Sequence, residues 1–144
     1  MSTKAALKKP VEAAMSLDEA RRLVKSVETL FAKGDLKTIM EGYTDDVVTR
    51  FADFPEMKGK ADLETFLKAR FARQKNYRLR KDLRTLMGNI IGNYWEGEWE
   101  DSRTGRKMTG RGTEFWTIRD GKVARWEATF NVWEAGGKPV SPIV

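Results

Sequence analysis

The chain is 144 residues long, 40% hydrophobic and 33% charged, with a net charge of +6 and neither cysteine nor histidine. That length and mixture suit one globular domain, not two, and the longest apolar runs fall well short of the ~20 residues a membrane span needs. Without Cys or His there are no disulfides, thiol nucleophiles, Ser-His-Asp triads or ordinary zinc sites, so acid–base work falls to carboxylates, Tyr or Lys. The amino-terminal Met-Ser-Thr-Lys-Ala-Ala stretch lacks a secretory pattern, and a cysteine-free chain fits a reducing compartment; a cytoplasmic location is expected.

Residues 1–15 read as a basic arm without an anchor. Ser16 and Glu19 form a capping box that opens a helix, with Leu17, Ala20, Val24, Val27 and Phe31 at helical spacing. Gly34 ends it, and Asp35 caps a short second helix (Leu36, Ile39, Met40) that stops at Gly42. Tyr43 begins a turn into a strand near Val47–Phe51, and Pro55 and Gly59 mark the following stretch as loop. A third helix is expected from about Lys60 to Gln74. Four strands follow, at Tyr77–Met87, Ile90–Glu100, Lys107–Arg119 and Lys122 to about Trp133, and residues 134–144 form a tail. Helices gathered before an antiparallel meander predict an α+β layer arrangement over residues 16–133.

Several stretches carry a family likeness: Tyr43-Thr-x-Asp, Arg50, Gly59 before the third helix, Tyr77-Arg78-Leu79, Glu98-Trp99, Gly112-x-Glu114-x-Trp116, and Glu127-Ala128 with Asn131. In this order and spacing the chain resembles the nuclear-transport-factor-2-like superfamily, and within it a SnoaL-like group of bacterial proteins of unassigned function. The resemblance implies a cone-like fold whose N-terminal helices pack on a curved antiparallel or mixed sheet around a pocket, commonly in a dimer. It does not imply one reaction, because the superfamily holds isomerases, cyclases, epoxide hydrolases, dehydratases and non-catalytic binders. Two positions depart from the group: Val132 follows Asn131 where an Asp is usual, and Phe51 stands where a polar residue is usual.

Strand pairing places the candidate site. With Asp101–Arg106 as a hairpin loop, Trp95 opposes Gly112 and Asn93 opposes Glu114. With Asp120-Gly121 as a two-residue turn, Trp116 opposes Arg125 and Glu114 opposes Glu127. One face then gathers Trp95, Trp99 and Trp116 with Glu114, Glu127, Arg125 and Asn131, an aromatic wall around a few polar groups. Two carboxylates directly across from each other demand a shared proton or a cation, and Arg125 or Arg50 could supply that cation. Glu114 and Glu127 are therefore the candidate catalytic pair, and Tyr43, Arg50, Trp95, Trp99, Trp116, Arg125 and Asn131 the candidate substrate-binding residues. The same carboxylates read more simply as a structural Glu–Arg network, and the tryptophans suit a packed core as well as a ligand wall. Asp53, near the place where ketosteroid-isomerase relatives keep a carboxylate, reads more simply as turn chemistry.

The opposite face, with Phe115, Trp126, Ala128 and Phe130, is too aromatic to leave in water, so a homodimer packed through the outer sheet face is expected. Residues 58–84 carry ten Lys/Arg against three Asp/Glu, but no nucleic-acid motif accompanies them, so a solvated face is the simpler reading. The function expected is binding of a small apolar organic molecule, with or without carboxylate-based isomerase, cyclase, dehydratase or hydrolase chemistry, and with neither metal nor other cofactor. The alternative is a non-catalytic ligand-binding or protein-interaction module.

Overall fold

A computed structural model describes residues 14–143; of the expected basic arm, residues 1–13 lie outside the described part. Helix α1 (Leu17–Lys33) starts at the predicted capping box, with Glu19 N–H donating to Ser16 Oγ and Ser16 N–H to Glu19 Oε2. It ends at Gly34, whose left-handed backbone lets its N–H cap Leu30 and Phe31 carbonyls. Its stripe of Ala20, Val24 and Phe31 is buried. Helix α2 (Leu36–Glu41) buries Ile39 and Met40, and α3 (Lys60–Arg73) buries Leu63 and Leu67.

The strands are β1 (Tyr43–Phe51), β2 (Met57–Lys58), β3 (Gln74–Met87), β4 (Ile90–Asp101), β5 (Lys107–Arg119) and β6 (Lys122–Glu134). They form one sheet in the order β2-β1-β6-β5-β4-β3, antiparallel throughout except where β1 runs parallel to β6. Strand β1 begins at Tyr43, earlier than expected, because Tyr43 already pairs with Val123. The Pro55–Gly59 stretch is not all loop: Met57 and Lys58 pair with Thr49 and Val48. The helices cover the inner face of this curved sheet, and no helix among the described residues is long and apolar enough to cross a membrane.

The β4–β5 register is the expected one, with Trp95 opposite Gly112 and Asn93 opposite Glu114. The β5–β6 register is not. Arg119–Lys122 and Ile118–Val123 pair as a two-residue turn requires, but the ladder then shifts and Thr117 pairs with Arg125. Ala124 is the extra residue of a bulge, and beyond it every side chain of β6 changes face. Glu114 therefore opposes Ala128, not Glu127, and Trp116 opposes Trp126, not Arg125. The physical reason is burial. Val123 and Trp126 are both in the core, and residues three apart in a regular strand point to opposite faces. Trp126, Ala128 and Phe130 thus lie inside, against the expectation that they form an outer aromatic face, and Phe115 remains outside, 49% exposed.

Gly112 permits the closest approach within the sheet. A Cβ there would lie 2.3 Å from the Thr129 carbonyl oxygen and 2.6 Å from Phe130 Cβ. Neither obstacle can rotate away, so Gly112→Ala must displace β6 and is expected to cost about 1–3 kcal/mol, the range of overpacked cores. Urea unfolding measures it; a wild-type midpoint with unchanged slope would show that β6 yields freely.

Candidate functional site

The site is built on β3, where Tyr77, Leu79, Lys81 and Leu83 alternate toward the core. As an edge strand, β3 offers backbone groups with no neighbouring strand to pair them. At Lys81, helix α1 takes that place. The Lys81 N–H donates to Glu28 Oε2 at 2.7 Å, and its carbonyl accepts from Lys25 Nζ at 2.8 Å. Lys25 and Glu28 are themselves 3.0 Å apart. Held from outside in this way, Lys81 sends its side chain inward to Glu114.

Lys81 Nζ donates to Glu114 Oε1 in a short ion pair whose side chains are only 4% and 1% exposed. Trp126 Nε1 donates to Glu114 Oε2 at 2.9 Å, and Asn93 Nδ2 makes a longer 3.5 Å contact with Oε1. The Trp116 and Trp95 rings stand 5.5 and 5.8 Å from the ammonium. Burial pulls the Lys81 ammonium below the ordinary lysine value, and the Glu114 charge and hydrogen bond oppose that pull. Tyr43, stacked on Trp126 with ring centroids 5.8 Å apart, has its hydroxyl pushed well up, first by burial and then by Glu114. It is a neutral phenol at any ordinary pH.

Beyond the pair lies a void of about 10 Å³, roughly the room of one water. Phe51, Trp95, Phe130 and Arg70 line this void and also a cavity of about 580 Å³ at the open end of the cone. The three rings stand as a partition between them, with Trp95–Phe130 centroids 5.8 Å apart and Phe51–Phe130 6.4 Å. The cavity is mainly apolar, walled also by Phe54, Phe66, Trp99, Met108 and Val132, with Asp53, Arg103 and Asn131 among its polar groups. Arg73 grips Asp101 at this cavity through two hydrogen bonds of 2.7 and 3.0 Å. That grip, with help from Thr104 and the Arg103 amide, holds the Asp101 carboxyl far below the usual range.

Of the sequence-predicted residues, Glu114, Trp95, Trp116 and Tyr43 come together in the core, Trp99 lines the cavity and Asn131 sits on its rim, bonded to Ser141. Glu127, Arg125 and Arg50 do not join them. The bulge at Ala124 puts Glu127 on the outer face, 3.0 Å from Arg125, and Arg50 faces Glu56 at 3.4 Å. The cation opposite Glu114 is Lys81, which sequence reasoning passed over although it stands in phase with Tyr77, Leu79 and Leu83. Trp126 was missed with the bulge. In the basic 58–84 stretch, six of the ten cations are ion-paired, Lys81 among them, which breaks up any continuous positive stripe. Among the described residues, no group of three or more acidic side chains is placed to hold a metal ion.

A family model described as "Protein of unknown function (DUF1348)" matches residues 13–135. A comparison with curated proteins finds no significant match. Solved structures share the fold. One is a provisionally assigned polyketide cyclase of Xanthomonas campestris pv. campestris (TM-score 0.71, 22% identity, covering 79% of this chain and 91% of that one). Another is a provisional SnoaL-like polyketide cyclase of Jannaschia sp. CCS1 (0.67, 14%, 86% and 90%). A third is an LEH-like epoxide hydrolase of M. tuberculosis (0.63, 16%, 79% and 84%). The fold is thus that of the SnoaL-like, nuclear-transport-factor-2-like proteins, as the resemblance implied.

Removing one partner of a buried ion pair strands the other charge. Lys81→Met is therefore expected to lose about 3–5 kcal/mol in chemical denaturation, and Lys81→Met with Glu114→Gln to regain most of it. A single variant within about 1 kcal/mol of wild type would show that the pair is not desolvated as described.

Proposed function

We propose that this chain, which belongs to the DUF1348 family of proteins of unknown function, binds a small apolar organic molecule in the open cavity and moves protons on it through Lys81 and Glu114. The reaction class is a cofactor-independent isomerisation, cyclisation, dehydration or hydrolysis. One observation carries this reading: a lysine and a glutamate, both almost wholly buried, share a void with the floor of an apolar cavity. Packing alone gives little reason for them, since well-packed apolar residues in place of a buried pair are often neutral or stabilising. An acid and a base already in contact, in a site that excludes water, are the elements general acid–base catalysis needs. In this reading Glu114 accepts a proton and Lys81 donates one to a developing oxyanion, with the single-water void as the relay between the pair and the substrate. Trp126, stacked on Tyr43, keeps Glu114 in place through its indole N–H. Glu127, once paired with Glu114 in expectation, has no part, and neither have Arg125 and Arg50.

A second reading, a non-catalytic binding module, is favoured by the partition of Phe51, Trp95 and Phe130, which separates the pair from the cavity. We also propose a homodimer and a cytoplasmic location. On the outer face the dimer rests chiefly on half-exposed Phe115, and sedimentation would test it.

The two main readings part on turnover. Ligands found by thermal shift among terpenoid, steroid, polyketide and aromatic compounds would be tested with wild type, Lys81→Met and Glu114→Gln. The catalytic reading expects turnover to fall about 10²–10⁴-fold in either variant while binding in the cavity changes little. Binding without any turnover in the wild type, or turnover indifferent to both substitutions, would leave the binding module.

A further inference from the structure

Among the described residues, Arg70 is a cation without a counter-charge. It lies half-buried on α3 with no carboxylate within ion-pair distance among the described residues, whereas Arg73, one turn on, is fully matched by Asp101. Its guanidinium stands against the rings of Phe31 and Tyr77, 5.9 and 5.7 Å from their centroids. Arg70 Nε donates to Gln74 Oε1 at 3.0 Å and Nη2 to the Tyr77 hydroxyl at 3.1 Å. These contacts orient a five-donor fork while using only two of its donors. Arg70 lines both the open cavity and the void beside Lys81 and Glu114. The inner end of the cone therefore holds two cations, Lys81 and Arg70, against the single carboxylate of Glu114.

We propose that the ligand supplies the missing charge: it is an apolar, most simply aromatic, carboxylic acid whose planar carboxylate pairs with Arg70 while its body lies against Phe54, Phe66 and Trp99. This deepens the cavity reading above and rests on it. A fork held in one plane by Gln74 and Tyr77 matches a planar oxyanion and not an alcohol or amide of the same shape. Bound there, a carboxylate anchors one end of the molecule at the partition, next to the Lys81–Glu114 pair.

The test is calorimetry with two isosteric probes, 2-naphthoate and 2-naphthamide, on wild type, Arg70→Gln, Arg70→Lys and the control Arg103→Gln, another cavity arginine. Wild type should bind naphthoate at least about tenfold tighter than the amide, the scale of one good hydrogen bond to a charged group. Arg70→Gln should lose that preference with the amide affinity nearly unchanged, Arg70→Lys should keep part of it, and Arg103→Gln should keep all of it. Should Arg70→Gln not fold, the lysine variant decides, since full preference there contradicts the planar fork. Equal affinity for the two probes in wild type, or a preference that survives in Arg70→Gln, overturns the inference while leaving the cavity as a binding site. If neither probe binds, the cavity reading falls and the carboxylate falls with it.

Discussion

A lysine ammonium and a glutamate carboxylate held together away from water bring stringent demands to everything around them. In a medium of low polarity each remaining donor and acceptor of the pair needs its own partner, and each supporting element needs a fixed position. Much of the chain's arrangement follows from that requirement. Helix α1 presents Glu28 and Lys25 to the backbone of the edge strand at Lys81, which closes an open sheet edge and aims the lysine inward. The bulge at Ala124 turns Trp126 inward so that its indole N–H reaches the second carboxylate oxygen. Tyr43, at the start of β1, stacks on that indole, and Phe51 at the other end of β1 meets the same ring edge-on at 4.4 Å.

The same packing divides the cone into layers. Charge and tryptophan lie at the inner end, a partition of Phe51, Trp95 and Phe130 follows, and a wide apolar cavity opens beyond. Such a gradient keeps bulk water from the pair while leaving apolar surface for a ligand, and water exclusion strengthens every charge interaction behind the partition. Arg70 is placed where the two layers meet. Gln74 and Tyr77 hold two of its N–H donors, and the others are left as the part able to recognise something new.

The helices, their caps and the β4–β5 register were legible in the residues, because capping boxes, a C′ glycine and a polar hairpin loop act locally. The β5–β6 turn was equally legible from Asp120-Gly121. What failed was the step from turn to strand. No Gly or Pro marks the bulge at Ala124; its trace is only that Val123 and Trp126, three residues apart, both seek the core. Missing it moved Glu127 into the site and Trp126 out, and with Trp126 went the correct view of the outer face. Lys81 was hidden differently. It stands in a strand dense with arginines, where charge suggests solvent, and only the inward phase of Tyr77, Leu79 and Leu83 betrays it. Arg70 cannot be told by pattern from its neighbour Arg73, because the difference is Asp101, which is distant in sequence.

The central claim is that Lys81 and Glu114 behave as one buried unit. NMR of protein labelled at the lysine ε-carbons, titrated from neutral to alkaline pH, reads it most directly. Burial lowers the Lys81 pKa and Glu114 raises it, so Lys81 should titrate below the surface lysines, and in Glu114→Gln it should move lower still. A Lys81 resonance that titrates with the surface lysines and ignores the loss of Glu114 would contradict the account.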